Sequence, residues 1–277
     1  MLSKCLWPAV TAILLSAPVP AGATTLLPDF SAATFLPGQP VTNPWFPIGP
    51  GRTATLAAQG VSDEGPFEER TELSFGGAGP TILGVTATTL LDRAYENNLL
   101  VEETFDYYAQ DTSGNVWYLG EDVTNYHYDE DGNLTGTDSA SSWRAGVNGA
   151  LPGYIMPASP MTGFAYYQEF AVADTALDEA LVLATGQTFT FAGVTYSDVV
   201  VTFESTQLDP DARELKYYAP GFGLIRIEEG VDGNYKNPAL TFDLVQPAPI
   251  PLPATLPLLM GALGVAGLAL RRRRRRA

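Results

Sequence analysis

The feature that most constrains the fold is a succession of short strand-like runs separated by turn residues. Leu99 to Ala109 alternates apolar and polar side chains, the turn Asp111 to Asn115 follows, and Val116 to Leu119 forms the next run. Alternation with a period of two is typical of half-buried strands, and a Gly-Asn turn between two such runs predicts a β-hairpin. Val123 to Tyr128, followed by the turn Asp129 to Asn133, repeats the pattern.

Similar runs continue along the chain, whereas helical periodicity is present only over Val172 to Ala184. The sequence therefore predicts a mostly β fold, an antiparallel sheet that is curved or partly barrel-like, with one or two short helices. The further strand-like runs are Thr81 to Leu90, Thr188 to Tyr196, Val199 to Ser205, Leu215 to Ala219 and Leu224 to Glu229.

One short segment occurs twice. Tyr107-Tyr108-Ala109 and Tyr217-Tyr218-Ala219 are 110 residues apart, and each precedes a turn and a strand. Two explanations are open, an ancestral duplication and recurrent strand-to-turn chemistry.

The first 23 residues have the pattern of a cleaved signal peptide. Lys4 precedes a mostly apolar stretch, and Ala21 and Ala23 are the small residues that a signal peptidase reads, so cleavage leaves Thr24 first. Sec-type export machinery and signal peptidase are the expected partners. The only cysteine, Cys5, precedes the apolar stretch, which excludes a lipoprotein site and leaves the exported chain without disulfides or thiol chemistry.

Residues 24–246, here called the body, are strongly acidic. The chain has 15 basic and 31 acidic residues, but seven of the basic ones lie in the terminal segments, so the body has a net charge of −23. This charge repels nucleic acid and anionic lipid, which are therefore not expected partners. Within the body, residues 24–51 contain six prolines and predict an extended segment leading into a β-rich extracytoplasmic domain over 52–246.

Residues 247–277 have three parts, a proline-rich stretch, an uncharged apolar run and a basic end. The apolar run, residues 256–270, would rise about 22 Å as a helix, short of the roughly 30 Å hydrocarbon core. Residues 252–255 and arginine stems can extend it into a transmembrane helix. Positive charge stays cytoplasmic, so the body is expected outside. The residues that set this topology are Arg271, Arg272, Arg273, Arg274, Arg275 and Arg276.

The order of these parts resembles a PEP-CTERM sorting signal, in the variant whose motif reads Val-Pro-Leu-Pro-Ala. The resemblance implies that an exosortase-like transpeptidase recognises the motif, and it implies a Gram-negative and often exopolysaccharide setting. The protein would be anchored in the inner membrane, N-terminus outside, during sorting and then lie in the cell envelope, at the surface or outside the cell. The corresponding motif residues here are Pro251, Leu252, Pro253 and Ala254, after Ile250.

The body resembles a family of exported, β-rich bacterial proteins for which no activity is established, so no catalytic residue can be carried over. The matching residues are Asn43-Pro44-Trp45-Phe46-Pro47, Tyr107-Tyr108-Ala109-Gln110-Asp111, Gly114-Asn115-Val116-Trp117-Tyr118, Gly120-Glu121-Asp122, Ser142-Trp143, Ala145-Gly146-Val147, Pro152-Gly153, Met156-Pro157-Ala158 and Lys216-Tyr217-Tyr218-Ala219-Pro220-Gly221.

No catalytic, cofactor or metal residue is predicted. His127 is the only histidine, which excludes a multi-histidine zinc site, and we interpret it as an exposed strand residue. The segment Asp129 to Asn133 lacks the glycine and glutamate spacing of an EF-hand, which favours a tight turn. The neighbours Glu68-Glu69 and Glu102-Glu103 would point to opposite faces of a strand, so neither forms a catalytic couple by adjacency.

The aromatic residues predict a core more than a sugar-stacking surface. The residues concerned are Trp117, Tyr118, Trp143, Tyr166 and Tyr167.

The sequence thus predicts a non-enzymatic exported protein, a structural or extracellular-matrix component. The alternatives are a module that binds a polysaccharide or an apolar ligand inside a curved sheet, and a carboxylate hydrolase. A solvent-facing row of aromatics would favour a binding module, and two carboxylates about 5–10 Å apart in a deep cleft would favour a hydrolase.

Removal of residues 247–277 should release the protein from the membrane, because the predicted helix and arginines would be lost. Fractionation of a Gram-negative host that expresses either form should find the full chain in the membrane and the truncated chain in the soluble fractions. Identical partitioning of the two forms would contradict the anchoring prediction.

Overall fold

The computed structural model describes residues 24–62 and 65–246. The predicted signal peptide with Ala21 and Ala23, the sorting motif 251–254, the membrane helix 256–270 and the arginines 271–276 lie outside the described residues and stay predictions. Within the described ranges, no helix has both the length and the apolar character needed to cross a membrane.

The described chain forms one sheet in which every strand pair is antiparallel, which confirms the predicted fold class. The strand order is β10-β8-β5-β4-β3-β2-β1-β15-β14-β13-β12-β11-β9, and β6 and β7 also pair with β5. The strands are β1 Thr53–Ser62, β2 Gly65–Ile82, β3 Val85–Glu96, β4 Leu99–Gln110, β5 Val116–Tyr128, β6 Leu134–Asp138, β7 Trp143–Arg144, β8 Leu151–Met156, β9 Ala165–Tyr167, β10 Glu169–Phe170, β11 Asp178–Phe191, β12 Val194–Thr206, β13 Arg213–Ala219, β14 Gly223–Glu229 and β15 Leu240–Gln246.

The two edges of this sheet meet, so the sheet is nearly closed and barrel-like. β9 pairs with β11 at one edge and β10 with β8 at the other, and only Gln168 separates β9 from β10 in the chain. The Gln168 amide donates to the Asp178 carbonyl oxygen, 2.8 Å away. Gly153 of β8 lies so close to this connection that a Cβ atom there would be 2.1 Å from the Tyr167 carbonyl oxygen. A larger residue at 153 would therefore force the edges apart.

The sheet contains the same four-stranded meander twice, as β2–β5 and as β11–β14. In the first copy the register shifts between Tyr107 and Tyr108, and in the second it shifts between Tyr217 and Tyr218. The Tyr107 hydroxyl donates to Asp122 of the next strand, and the Tyr217 hydroxyl donates likewise to Glu228. This shared topology and register favour duplication as the origin of the repeated Tyr-Tyr-Ala segment.

Residues 24–51 close one end of the sheet. Val41 and Ile48 are buried and bridge each other. The ring centroid of Phe46 lies 5.0 Å from that of Tyr108 in the first meander and 6.4 Å from that of Tyr218 in the second. The closed end is therefore capped by an aromatic side chain that lies between the two copies.

The helix predicted over Val172 to Ala184 is wrong. A 3-10 turn forms at Val172–Asp174, β11 follows from Asp178, and the other short helix, Phe30–Ala32, is also a 3-10 turn. β11 pairs with β9 on one side and with β12 on the other. Sheet pairing on both sides outweighs a weak local helical pattern, because strand formation depends mainly on the neighbours.

Two runs predicted as single strands are the tips of long hairpins. The β2–β3 hairpin turns at Leu83 and Gly84, with φ of 49° and 82°, and the β11–β12 hairpin turns at Ala192 and Gly193, with φ of 47° and 79°. Positive φ at both central residues is what a type I′ turn requires. Leucine and alanine are unusual at the first position, so the pattern does not indicate these turns.

The hairpin turns predicted at Asp111 and Asp129 are confirmed. In each turn the aspartate Oδ1 accepts hydrogen bonds from the amides two and four residues further on, at 2.8 to 3.0 Å. Asp111 is only 3% exposed and also accepts a hydrogen bond from Trp117 Nε1 at 2.9 Å, whereas Asp129 is exposed. The two turns therefore have the same side-chain-to-amide hydrogen bonds, buried at Asp111 and exposed at Asp129.

Asp111→Ala should lower the free energy of unfolding by about 2–4 kcal/mol, because buried donors, including the Trp117 indole, lose a charged acceptor. Asp129→Ala is the matched control and should cost under about 1 kcal/mol, since its donors can bond to water. Urea unfolding followed by tryptophan fluorescence measures both. Equal losses would contradict the assigned role of burial.

Candidate functional site

The histidine and the paired glutamates do not gather into a site. His127 Nε2 lies 2.6 Å from Asp138 Oδ2, and both side chains are about half exposed, at 57% and 48%. Glu103 pairs with Arg93 at 2.7 Å. The interpretation of His127 as an exposed strand residue is confirmed.

The prediction of an aromatic core is also confirmed. Trp117, Tyr118, Trp143 and Tyr166 are buried, and Tyr167 is half-buried. They do not form a row of aromatics on the solvent face.

The polar groups that do converge lie inside the sheet, around Lys216 of β13. Its Nζ is 2.9 Å from Glu204 Oε2 of β12 and 2.9 Å from Glu214 Oε1 of its own strand. Burial by itself lowers the pKa of Lys216, but the charges of these two glutamates outweigh it and hold the pKa well above its usual range. Lys216 therefore stays an ammonium group at neutral pH.

The first meander has a carboxyl group at only one of the positions that correspond to these two glutamates. Asp92 of β3 pairs in register with Thr104, as Glu204 pairs with Glu214 in the second meander. Asp106 lies two residues before Tyr108, as Lys216 lies two before Tyr218. Strand residues two apart share a face. Asp106 and Lys216 are therefore equivalent positions with opposite charge.

A second polar group joins Asp106 to the next strand. The Tyr118 hydroxyl is 2.5 Å from Asp106 Oδ1 and 2.6 Å from Glu121 Oε2. A hydroxyl donates one proton, so one of these two carboxyl groups must itself be protonated to complete both hydrogen bonds.

A carboxyl group that favours its protonated form is also present where the two sheet edges meet. Glu169 Oε2 is buried and has no donor among the described residues, whereas a protonated Glu169 can hydrogen-bond Asp178. This carboxyl group too is suited to its surroundings in the protonated form.

The interior raises the pKa of these acids. Burial is the largest cause, and it raises the pKa of Asp92 to about 6 and of Glu121 to about 7, with a further contribution from the charge of Glu102. Burial and then the charge of Glu121 raise the pKa of Asp106 and of Glu169 well above the usual range. Near neutral pH the interior therefore holds both carboxylic acids and carboxylates.

A cavity of about 110 Å³ lies between these groups and the closed end of the sheet. Asp92, Asp106 and Lys216 form its polar wall, and Phe46, Tyr108 and Tyr218 contribute aromatic rings. Its other lining residues are Pro47, Leu73, Phe75, Leu90, Ile155, Gly223 and Leu224.

Two interior tyrosines keep free hydrogen-bonding capacity. Tyr108 lines the cavity, is 5% exposed, and its hydroxyl has no hydrogen-bond partner within the described part of the chain. Tyr166 is fully buried, and its hydroxyl likewise has no partner there. Burial, and then the charge of Glu204, raise the pKa of Tyr166 well above its usual range. The interior can therefore make more hydrogen bonds than its own residues use.

This arrangement suits the binding of a small molecule that offers hydrogen-bond donors and an apolar part. Among the described residues, no group of three or more His, Cys, Asp or Glu side chains has an arrangement that could hold a metal ion.

The sequence reasoning missed this site. Asp92, Asp106, Glu204 and Lys216 lie within strand-like sequences, where a polar residue on the interior face looks the same as one on the solvent face, and no role was predicted for them. The one available signal was the shared Tyr-Tyr-Ala segment, since the residues two before each second tyrosine are Asp106 and Lys216.

Comparisons with known proteins give a limited result. No family profile matches the chain, and a search of curated proteins finds no match. A crystal structure from Bacteroides fragilis, described as an exported protein with a YmcC-like fold, aligns with a TM-score of 0.36 and 13% identity over 72% of this chain and 96% of that one. One described as a lipoprotein from Parabacteroides distasonis aligns with a TM-score of 0.32 and 11% identity over 74% and 98%. Because both identities are under 25% and both TM-scores are under 0.5, neither similarity supports a conclusion about function.

The stability of the fold should fall as the pH rises from 5 to 8. An acid with a raised pKa binds its proton more tightly in the folded chain, so its stabilising contribution is complete below about pH 4 and is lost as the pH passes through about 6 to 7. For Asp92 alone the whole change is about 3 kcal/mol, of which about half falls between pH 5 and pH 8.

Urea unfolding at several pH values should show a flatter pH profile for Asp92→Asn than for the wild type. The matched control Glu130→Gln removes an exposed carboxylate and should keep the wild-type profile. A wild-type stability that rises from pH 5 to 8 would contradict the pKa assignments.

Proposed function

We propose that this chain is an exported binding protein that holds a small ligand inside its barrel-like domain. The observation that supports this most is the cavity of about 110 Å³, where the ionisable side chains of Asp92, Asp106 and Lys216 meet apolar side chains. Small-molecule sites in proteins are concave and mostly apolar, with a few placed polar groups. The Tyr108 side chain, which forms no hydrogen bond to the described residues, lines the same cavity and supports the same proposal.

The cavity favours a small ligand over a polymer. A void of 150 Å³ holds one benzene molecule, so this one takes a group of about four or five non-hydrogen atoms. A polysaccharide chain would not fit inside. The binding alternative is therefore preferred to a purely structural matrix component, with the ligand redefined as a small molecule.

The carboxyl groups favour binding over hydrolysis. Carboxylate glycosidases place two acids on opposite sides of the bond that breaks. Here Asp106 and Glu121 contact the same Tyr118 hydroxyl, so no substrate bond fits between them, and the cavity of about 110 Å³ that Asp92 and Asp106 line is too small for a glycoside. We therefore keep the proposal non-enzymatic.

The location of this binding protein is part of the proposal. The Ala21-Ala23 cleavage pattern supports export, and the order of motif, apolar run and arginines over 251–276 supports sorting by an exosortase-like transpeptidase. The ligand would then be a molecule of the envelope or its surroundings.

Filling the cavity should abolish ligand binding. The full chain in lipid nanodiscs can be screened by saturation-transfer NMR against alkyl amines, alcohols, carboxylates and polyols of four or five non-hydrogen atoms, with empty nanodiscs as the blank. At least one class should bind to the wild type and lose at least about tenfold in affinity with Leu90→Phe or Leu73→Phe, because the added ring occupies the cavity.

Leu134→Phe is the control, since Leu134 is exposed, and it should bind like the wild type. Thermal unfolding should show that the filled variants still fold. If no class binds, or if the filled variants bind as the wild type does, the proposed function is wrong.

A further inference from the structure

The two meanders have a basic residue and an acidic residue at the same interior position. In the second, the Lys216 side chain runs inward and its ammonium group pairs with Glu204 and Glu214 at 2.9 Å each. In the first, the position equivalent to Lys216 is Asp106, and the position equivalent to Glu204 is Asp92. The first meander thus keeps one of the two carboxyl groups, Asp92, has Thr104 where the second has Glu214, and has an acid where the second has its cation.

Among the described residues, no cation forms an ion pair with Asp92 or Asp106. Within the described residues, the ion pairs of Arg70, Arg93, Arg144 and Arg226 are made to other carboxylates, none of them Asp92 or Asp106. Arg52, at the closed end, donates to the carbonyl oxygens of Pro47 and Phe222. Lys216 is held by two glutamates of its own half, and its charge also acts on Asp92, where it offsets part of the rise in pKa that burial causes.

The remaining partners of the two aspartates are hydroxyl groups. Thr71 donates to Asp92, and Tyr118 donates to Asp106. Each carboxyl group keeps lone pairs that these hydroxyls do not use. Burial and the neighbouring acids raise the pKa of Asp106, so a cation at this place would stabilise the ionised form.

The cavity next to the two aspartates has the shape that a lysine-like group needs. Its apolar wall, formed by Leu73, Phe75, Leu90, Ile155 and Leu224, can cover a short aliphatic stem. The rings of Phe46, Tyr108 and Tyr218 lie beside the polar wall, where aromatic faces attract an ammonium ion. The Tyr108 hydroxyl, without a protein partner, is an additional acceptor.

We propose that the interior binds a small primary alkylamine, whose ammonium group lies between Asp92 and Asp106 as the Lys216 ammonium lies between Glu204 and Glu214. This inference rests on the proposed function and names its ligand class. The protein would then sequester or carry short aliphatic amines in the envelope. A neutral molecule of the same shape would lack the charge that selects the amine.

Butylamine and 1-butanol are matched probes, because they differ in the charged group and hardly in size. Isothermal titration at pH 7.5, with the full chain in nanodiscs and empty nanodiscs as the blank, measures both affinities. The wild type should bind butylamine roughly 10–100 times more tightly than 1-butanol, the range expected for hydrogen bonds to charged groups. Asp92→Asn and Asp106→Asn should each weaken the amine at least about tenfold and leave the alcohol unchanged.

Glu130→Gln is the control for the loss of one negative charge and should bind butylamine like the wild type. Equal affinity for amine and alcohol in the wild type, or aspartate variants that bind the amine normally, would overturn the amine assignment. If neither probe binds while another class in the wider screen does, the amine assignment fails and interior binding stands. If no class binds, both fail. Should one aspartate variant not fold, the other variant and the wild-type comparison decide.

Discussion

The meeting of the two sheet edges at residues 165–170 is the constraint on which the rest of this structure depends. Gly153 allows the backbone of β8 to approach Tyr167 and Gln168, and the Gln168 amide ties the connection to β11. Because the sheet closes there, one face of every strand becomes an interior with restricted access to water. Acids that would be ordinary on an open sheet, such as Asp106 and Glu169, acquire raised pKa values in this interior.

The twofold repetition explains why so many polar groups converge. Each meander brings its inward positions to the same level of the interior, so equivalent residues face each other across it. Where the copies agree, as at Tyr108 and Tyr218, they form a common aromatic base under Phe46. Where they differ, as at Asp106 and Lys216, the interior gains an acidic side and a side whose cation is already paired. A symmetric scaffold with an asymmetric lining is well suited to select one kind of ligand.

The successes and failures of the sequence prediction follow from how local each interaction is. The hairpin turns at Asp111 and Asp129 were predictable, because the aspartate bonds to amides within four residues of itself. The turn at Leu83 and Gly84 was missed because its residue types are unusual for the geometry, and the predicted helix from Val172 was wrong because β11 is formed by partners on both sides. The interior site had no local signal, since inward and outward polar residues look alike in an alternating strand.

The sequence by itself therefore determined the mostly β, antiparallel class and two of the turns, because alternation and side-chain turns act over a few residues. It also carries the predicted signal peptide at one end and the predicted sorting signal at the other, which depend on the composition and order of their residues. Only the tertiary structure decided which face of each strand is inside, and so which polar residues form a site. Asp92, Asp106 and Lys216 share one cavity although more than 100 residues separate the lysine from the aspartates. That proximity exists because the sheet closes, and closure is a property of all its strands together.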